Sequence, residues 1–186
     1  MFATTTFAVV LSALVTPPEL SSTRRAVIAA AAALPAAANT AVRPAAASVE
    51  PKRRNLSPDD LAKVVTADLV TNQFLVTGKL TREVYDESAT FTDAIDTYTL
   101  DKWIKGTGAL FVGDRSHVDI VGPVERDENQ IKFRFTETLV FNLPIVKPTV
   151  PLTGTLILTR GKDGLITKYE EIWDTDVLTT LSKGYF

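Results

Sequence analysis

The chain predicts an α+β fold: helices on one face of a curved antiparallel sheet. Three observations predict it. After residue 57, apolar residues recur at helical spacing behind recognisable caps. From Arg115 onward, apolar and polar residues alternate at strand spacing between turns rich in Gly, Pro, Asp and Asn. No internal repeat breaks that order, so residues 57–183 read as one domain, large enough to bury its own core.

Each element has its reason. Ser57 can accept from the open amides of a helix start, Pro58 suits the first turn, and Asp59 and Asp60 favour the positive end of the helix dipole. Leu61, Val64, Val65, Leu69 and Phe74 lie near one face, and Gly78 is the expected stop. Thr81–Tyr85 reads as a short second helix, Ala89–Asp93 as a brief strand, and Leu100–Leu110 as a third helix holding Trp103 and Ile104. Val118, Ile120 and Val121 belong to a strand ending near Gly122-Pro123. Asp127-Glu128-Asn129 turns it into Ile131–Phe141, which alternates strictly. Asn142–Pro151 carries three prolines and reads as a loop, since proline cannot donate to a ladder. Thr153–Thr159 and Leu165–Asp174 form a hairpin around Gly161–Gly164, and Val177–Leu181 closes the chain.

The first 47 residues read as an address. Phe7–Val15 is an apolar run of nine residues, too short to span a bilayer. Arg24-Arg25, an Ala-rich stretch and Pro35-Ala36-Ala37-Ala38 follow, resembling a twin-arginine export signal with its small-residue cleavage site. A membrane anchor at 26–38 is the competing reading, but thirteen weakly apolar residues are short for it. Two such signals in tandem resemble the layered addresses of algal plastid proteins. The expected destination is the thylakoid lumen, with plastid stroma and secretion as alternatives. The segment 1–47 is then removed, and 48–56 is a polar linker with Lys52-Arg53-Arg54.

Composition narrows the chemistry. The chain has a formal net charge of −2, and without residues 1–47 it carries 17 basic and 21 acidic side chains. That gives no electrostatic case for nucleic acid, and no membrane span is expected in the mature form. With no cysteine there is neither disulfide nor thiolate nucleophile. A single His117 argues against catalytic zinc, and no metal or cofactor is expected. Gly106-Thr107-Gly108 lacks the remaining glycines of a nucleotide loop.

The stretch Tyr85-Asp86-Glu87-Ser88-Ala89-Thr90-Phe91-Thr92-Asp93 joins the helical part to the strands. This stretch and the element order are similar to the cone-shaped fold of the nuclear transport factor 2-like superfamily. Its ketosteroid isomerases and SnoaL-like cyclases are among the relatives, and Tyr98, Leu100 and Trp103 resemble plastid-targeted members of plants and algae. The resemblance implies helices on the concave face of the sheet and a homodimer formed through it. It implies that Asp93 stands where the isomerases place a general base. Their oxyanion donors do not carry over. The first helix has no tyrosine, and Thr153 or Thr155 falls near the position of the late-strand aspartate. Losing one such donor typically lowers the rate by about a hundredfold to a thousandfold, which argues against steroid-type isomerisation.

The expected pocket lining is Tyr98, Trp103, Glu137, Tyr169, Glu171 and Trp173 beside Asp93. Tyr169, Glu171 and Trp173 share a face by alternation, and Glu137 shares one with Phe133, Phe135 and Phe141. Each has a plainer reading. Asp93 could cap the loop after it, Glu137 could face water beyond a bulge, and the tryptophans could be core. His117 beside Asp119 reads as a solvated strand pair. Two functions follow: an accessory module holding a small apolar ligand or a thylakoid protein partner, or an isomerase, cyclase or hydratase using Asp93 as base.

Overall fold

The structure, a computed structural model, describes residues 51–186. The targeting segment and the first three linker residues lie outside them. Helix α1 (Pro58–Val70) starts as its sequence requires, with the Ser57 hydroxyl accepting from the Asp60 amide at 3.1 Å. It does not run on to Gly78. Gln73 adopts a left-handed backbone at φ 52, its side-chain amide donates to the Leu69 carbonyl at 2.9 Å, and its Oε1 accepts from the Val118 amide at 2.7 Å. Those bonds end α1 and turn the chain into a four-residue helix α2 (Phe74–Thr77). Gly78 stops α2 at φ 71, where a Cβ would lie 2.5 Å from the Ile104 carbonyl oxygen.

The second helix expected at 81–85 is only a 3₁₀ turn (Arg82–Val84), because β1 (Tyr85–Thr92) begins earlier than alternation suggested. Strand β2 (Thr97–Thr99) leads into α3 (Leu100–Leu110), whose bounds match the expected ones. Strand β3 (His117–Arg126) passes through Gly122-Pro123 instead of ending there, because an irregularity in register between Val121 and Glu125 absorbs the pair. Strands β4 (Gln130–Val140), β5 (Thr149–Arg160) and β6 (Ile166–Trp173) follow, then α4 (Val177–Ser182). Pro151 is within β5, opposite Thr138, rather than in a loop. It is tolerated because its nitrogen points to the side that β6, ending at Trp173, leaves open.

The sheet has six strands in the order β2-β1-β6-β5-β4-β3. Neighbours are antiparallel except β1 and β6, the first and last long strands, which meet in parallel. The fold is therefore α+β with a curved, open sheet. Helix α1 packs against β3 and β4, and α3 against β1 and β2. Between them, Leu61, Val65, Leu69 and Phe74 bury against the inner face of Ile131, Phe133, Phe135, Leu156, Leu158 and Tyr169. Fully burying each such side chain contributes on the order of 1.5–3 kcal/mol.

Candidate functional site

The inner face has a filled part and a polar end. In the filled part, parallel pairing of β1 with β6 sets Phe91 beside Tyr169, and the rings stack at 4.8 Å between centroids. Trp103, brought in by α3, lies 4.8 Å from Phe91, 5.4 Å from Tyr169 and 5.8 Å from Phe74. Trp103 thus packs within the core cluster, in ring contact with Phe74, Phe91 and Tyr169.

The polar end begins at the edge of this cluster. Tyr169 Oη donates to Glu171 Oε2 at 2.5 Å, and Trp173 Nε1 donates to Glu171 Oε1 at 2.6 Å. Strand alternation puts the three residues on one face, as their spacing implies. Both oxygens of Glu171 are held from opposite sides. Burial pushes its carboxyl up, the Tyr169 bond pulls it back, the Asp93 charge pushes it up again and the Trp173 bond lowers it; the balance is about 7. Burial first, then the charge of Glu171, raises the Tyr169 hydroxyl well above its ordinary value.

Asp93 follows directly on the end of β1 and caps the turn to β2. Its Oδ1 accepts from the amides of Ile95 at 2.7 Å and Asp96 at 2.9 Å. Burial still raises its carboxyl against those bonds. Tyr98, half-buried opposite Phe91, has its hydroxyl pushed up to about 12 by burial first and then by Asp93, Asp96 and Glu171. Lys102 Nζ stands 5.0 Å from the centre of the Tyr98 ring.

Glu137 faces inward. The β4–β5 register runs unbroken through it, with no bulge to turn it outward, and it is 4% exposed. Among the described residues its carboxylate makes no hydrogen bond and no ion pair. Burial, then the charge of Glu171, holds it well above the usual carboxylate range. Thr153 and Thr155 do not join it. The register puts Gly154 between them on the inner face, and Thr153 Oγ1 donates outward to Asp174 at 2.7 Å. A Cβ on Gly154 would meet the Phe135 ring at 2.8 Å and the Ile172 carbonyl oxygen at 2.6 Å, so only glycine lets Phe135 lie there. His117 and Asp119 pair at 3.0 Å, both exposed, as a solvated strand pair does.

The structure joins Tyr169, Glu171 and Trp173 by hydrogen bonds, and puts the hydroxyl of Tyr98 within the field of Asp93 and Glu171 and the carboxyl of Glu137 within that of Glu171. Two residues of consequence were not singled out from the sequence. Gln73 has no local signal. Asp68 has one, since it stands seven residues after Leu61 on the apolar stripe of α1. It is 1% exposed and accepts from the Thr81 amide at 2.7 Å, the Thr81 hydroxyl at 2.8 Å and Asn72 Nδ2 at 2.9 Å. A separate cleft of about 440 Å³, lined by Asn72, Gln73, Lys79, Phe111 and Asp114, contains none of the expected site residues. Among the described residues no group of His, Asp or Glu could hold a metal ion, and no helix is long and apolar enough to cross a membrane.

No protein-family model and no curated protein matches the chain. Solved structures do. An NTF2-like protein from Anabaena variabilis matches at 16% identity and a TM-score of 0.47, over 66% of this chain and 95% of that one. A protein with a ketosteroid isomerase-like fold from Catenulispora acidiphila, in complex with trimethylamine, matches at 16% identity and 0.44, over 69% and 93%. A SnoaL-like family protein from Agrobacterium tumefaciens matches at 14% identity and 0.41, over 63% and 97%. At these identities the likeness concerns the fold alone.

Proposed function

We propose that the domain is a small-molecule-binding module whose site is the polar end of the inner face, anchored by Glu171. The observation that supports this is the Glu171 carboxylate, held by Tyr169 at 2.5 Å and Trp173 at 2.6 Å beside a filled aromatic cluster. Such a group offers a ligand a fixed polar contact on an apolar wall, the usual composition of a small-molecule site. Native mass spectrometry of the purified protein tests it. A small molecule retained by the wild type and lost in Glu171→Gln is the expected result; equal retention in both would move the site elsewhere.

A second reading, a proton-transfer enzyme of isomerase, cyclase or hydratase type, is favoured by the value of about 7 at Glu171, where a general base works best. In that reading Glu171, not Asp93, takes the proton, because Asp93 Oδ1 already accepts from two amides of its own turn. Solvent-deuterium exchange into a panel of ketones separates the two: exchange lost in Glu171→Gln and kept in Asp93→Asn is expected, and the reverse would restore Asp93.

The tandem signals of residues 1–47 support a thylakoid-lumen location for the mature protein. Import into isolated chloroplasts followed by protease treatment checks it, and a product accessible outside the thylakoids would count against it.

A further inference from the structure

We propose that one end of the domain, the tip formed by the loop between β4 and β5 together with residues 183–186, docks on an anionic lipid surface. Ile145, Val146, Tyr185 and Phe186 enter the bilayer interface, and Lys147 and Lys183 lie beside them for the headgroups. This surface is separate from the polar end of the inner face and does not depend on what that end binds.

Two stretches distant in sequence meet at this tip through hydrogen bonds. Thr149 and Tyr185 form an antiparallel bridge, the Thr149 amide donating to the Tyr185 carbonyl at 2.8 Å and the Tyr185 amide to the Thr149 carbonyl at 2.9 Å. In that register Phe186 runs past Pro148, and Val146 is two residues before the proline, at most about 7 Å of extended chain. The loop is held at its base. The Phe141 amide donates to the Pro148 carbonyl at 2.9 Å, the Asn142 amide to the Leu110 carbonyl at 2.8 Å, and Lys147 Nζ to Asn142 Oδ1. Pro144 and Pro148 stiffen it further, because a proline ring fixes φ. Ile145 is therefore presented from a constrained loop, 94% exposed to water.

Phe186 is 72% exposed, Tyr185 57% and Val146 43%. The other exposed large apolar residues, Val70, Val121, Ile172 and Leu178, stand singly on α1, β3, β6 and α4. The four at the tip present on the order of 500 Å² of apolar surface, enough to mark an interaction site but short of the about 800 Å² per partner of a stable dimer. A bilayer needs no matching surface. Protruding side chains enter it one by one, and a ring with a polar edge such as that of Tyr185 prefers its boundary. Charge selects the lipid. Residues 142–148 and 183–186 contain two lysines and no Asp or Glu, in a chain whose 22 acidic residues outnumber its 20 basic ones. The acids that precede Lys183 are engaged, Asp174 with Arg134 and Asp176 with the amide and hydroxyl of Thr179. An anionic leaflet attracts such lysines within a Debye length.

Vesicle co-sedimentation tests the proposal. The purified protein is mixed with vesicles of phosphatidylcholine alone and of equal parts phosphatidylcholine and phosphatidylglycerol, at low and at high salt. The expected result is partition onto the anionic vesicles, weaker onto the neutral ones and weakened by salt. Ile145→Asp alters a side chain that stands in water, so the fold is kept, and it should lower the partition roughly tenfold or more, the effect of withdrawing one large apolar side chain. Ile145→Leu should bind as the wild type does, and a loss there as large as in Ile145→Asp would count against the proposal. No partition onto either vesicle, equal partition onto both, or unchanged binding by Ile145→Asp would overturn it. A wild-type oligomer, seen by light scattering, that Ile145→Asp dissolves would overturn it as well, because a second copy of the chain would then cover the tip.

Discussion

Glu171 shows how one residue acquires its chemistry from its neighbours. An exposed glutamate titrates near 4.5; here burial outweighs two hydrogen bonds and the group titrates at about 7. The folded chain therefore binds a proton more tightly than the unfolded one. Its contribution to stability is full below about pH 4.5 and is lost as pH rises through about 7. Asp93 and Glu137 are raised too and act in the same direction. Glu87, held at about 2 by Arg82 and Lys52, acts oppositely, with stability lost as pH falls below the ordinary glutamate range. Urea unfolding across pH should accordingly show greatest stability near pH 5 and a decline toward pH 8. The Glu171 part amounts to roughly 3 kcal/mol at most, because the side chain keeps some contact with water. In Glu171→Gln that alkaline decline should flatten, and a wild-type fluorescence titration with a midpoint near 7, reported through Trp173, should disappear.

At the scale of elements, the site depends on how strands are set side by side. The β1–β6 pairing places Phe91 on Tyr169, and the β5 register places Gly154 under Phe135 and between Thr153 and Thr155. Gly154→Ala would push a methyl group to 2.6 Å from the Ile172 carbonyl oxygen, a backbone atom that cannot rotate away. The expected loss is about 1–3 kcal/mol, as for other overpacked positions, with a perturbed Trp173 indole signal because Gly154 pairs with Trp173. A stable variant with an unchanged spectrum would show that the strands yield more easily than their geometry indicates. Asp68 works at the same scale, tying the end of α1 to Thr81 and so fixing where the chain enters β1.

For the whole molecule, the stretch before α1 behaves as part of the domain. The Arg53 amide donates to the Glu83 carbonyl at 2.9 Å, the Asn55 amide to the Asp163 carbonyl at 2.9 Å, and Arg160 Nη2 to the Leu56 carbonyl at 2.6 Å. A chain beginning at Pro51 should thus be measurably more stable to urea than one beginning at Ser57, by roughly 2 kcal/mol for the lost bonds. Equal midpoints would make residues 51–56 a passive linker.

Periodicity and caps in the sequence determined the class of fold, the bounds of α3, the alternation of β4 and the shared face of Tyr169, Glu171 and Trp173, because these depend on neighbours within one element. Tertiary structure decided the break at Gln73, the strand position of Pro151 and the ring-filled interior. It also determined that Asp93 both caps its turn and lies in the field of Glu171. Each of these turns on a partner distant in sequence: Val118 for Gln73, the end of β6 for Pro151, Phe91 for Trp103. A hydrogen bond or a buried charge is a property of two elements at once, and only the folded chain brings them together.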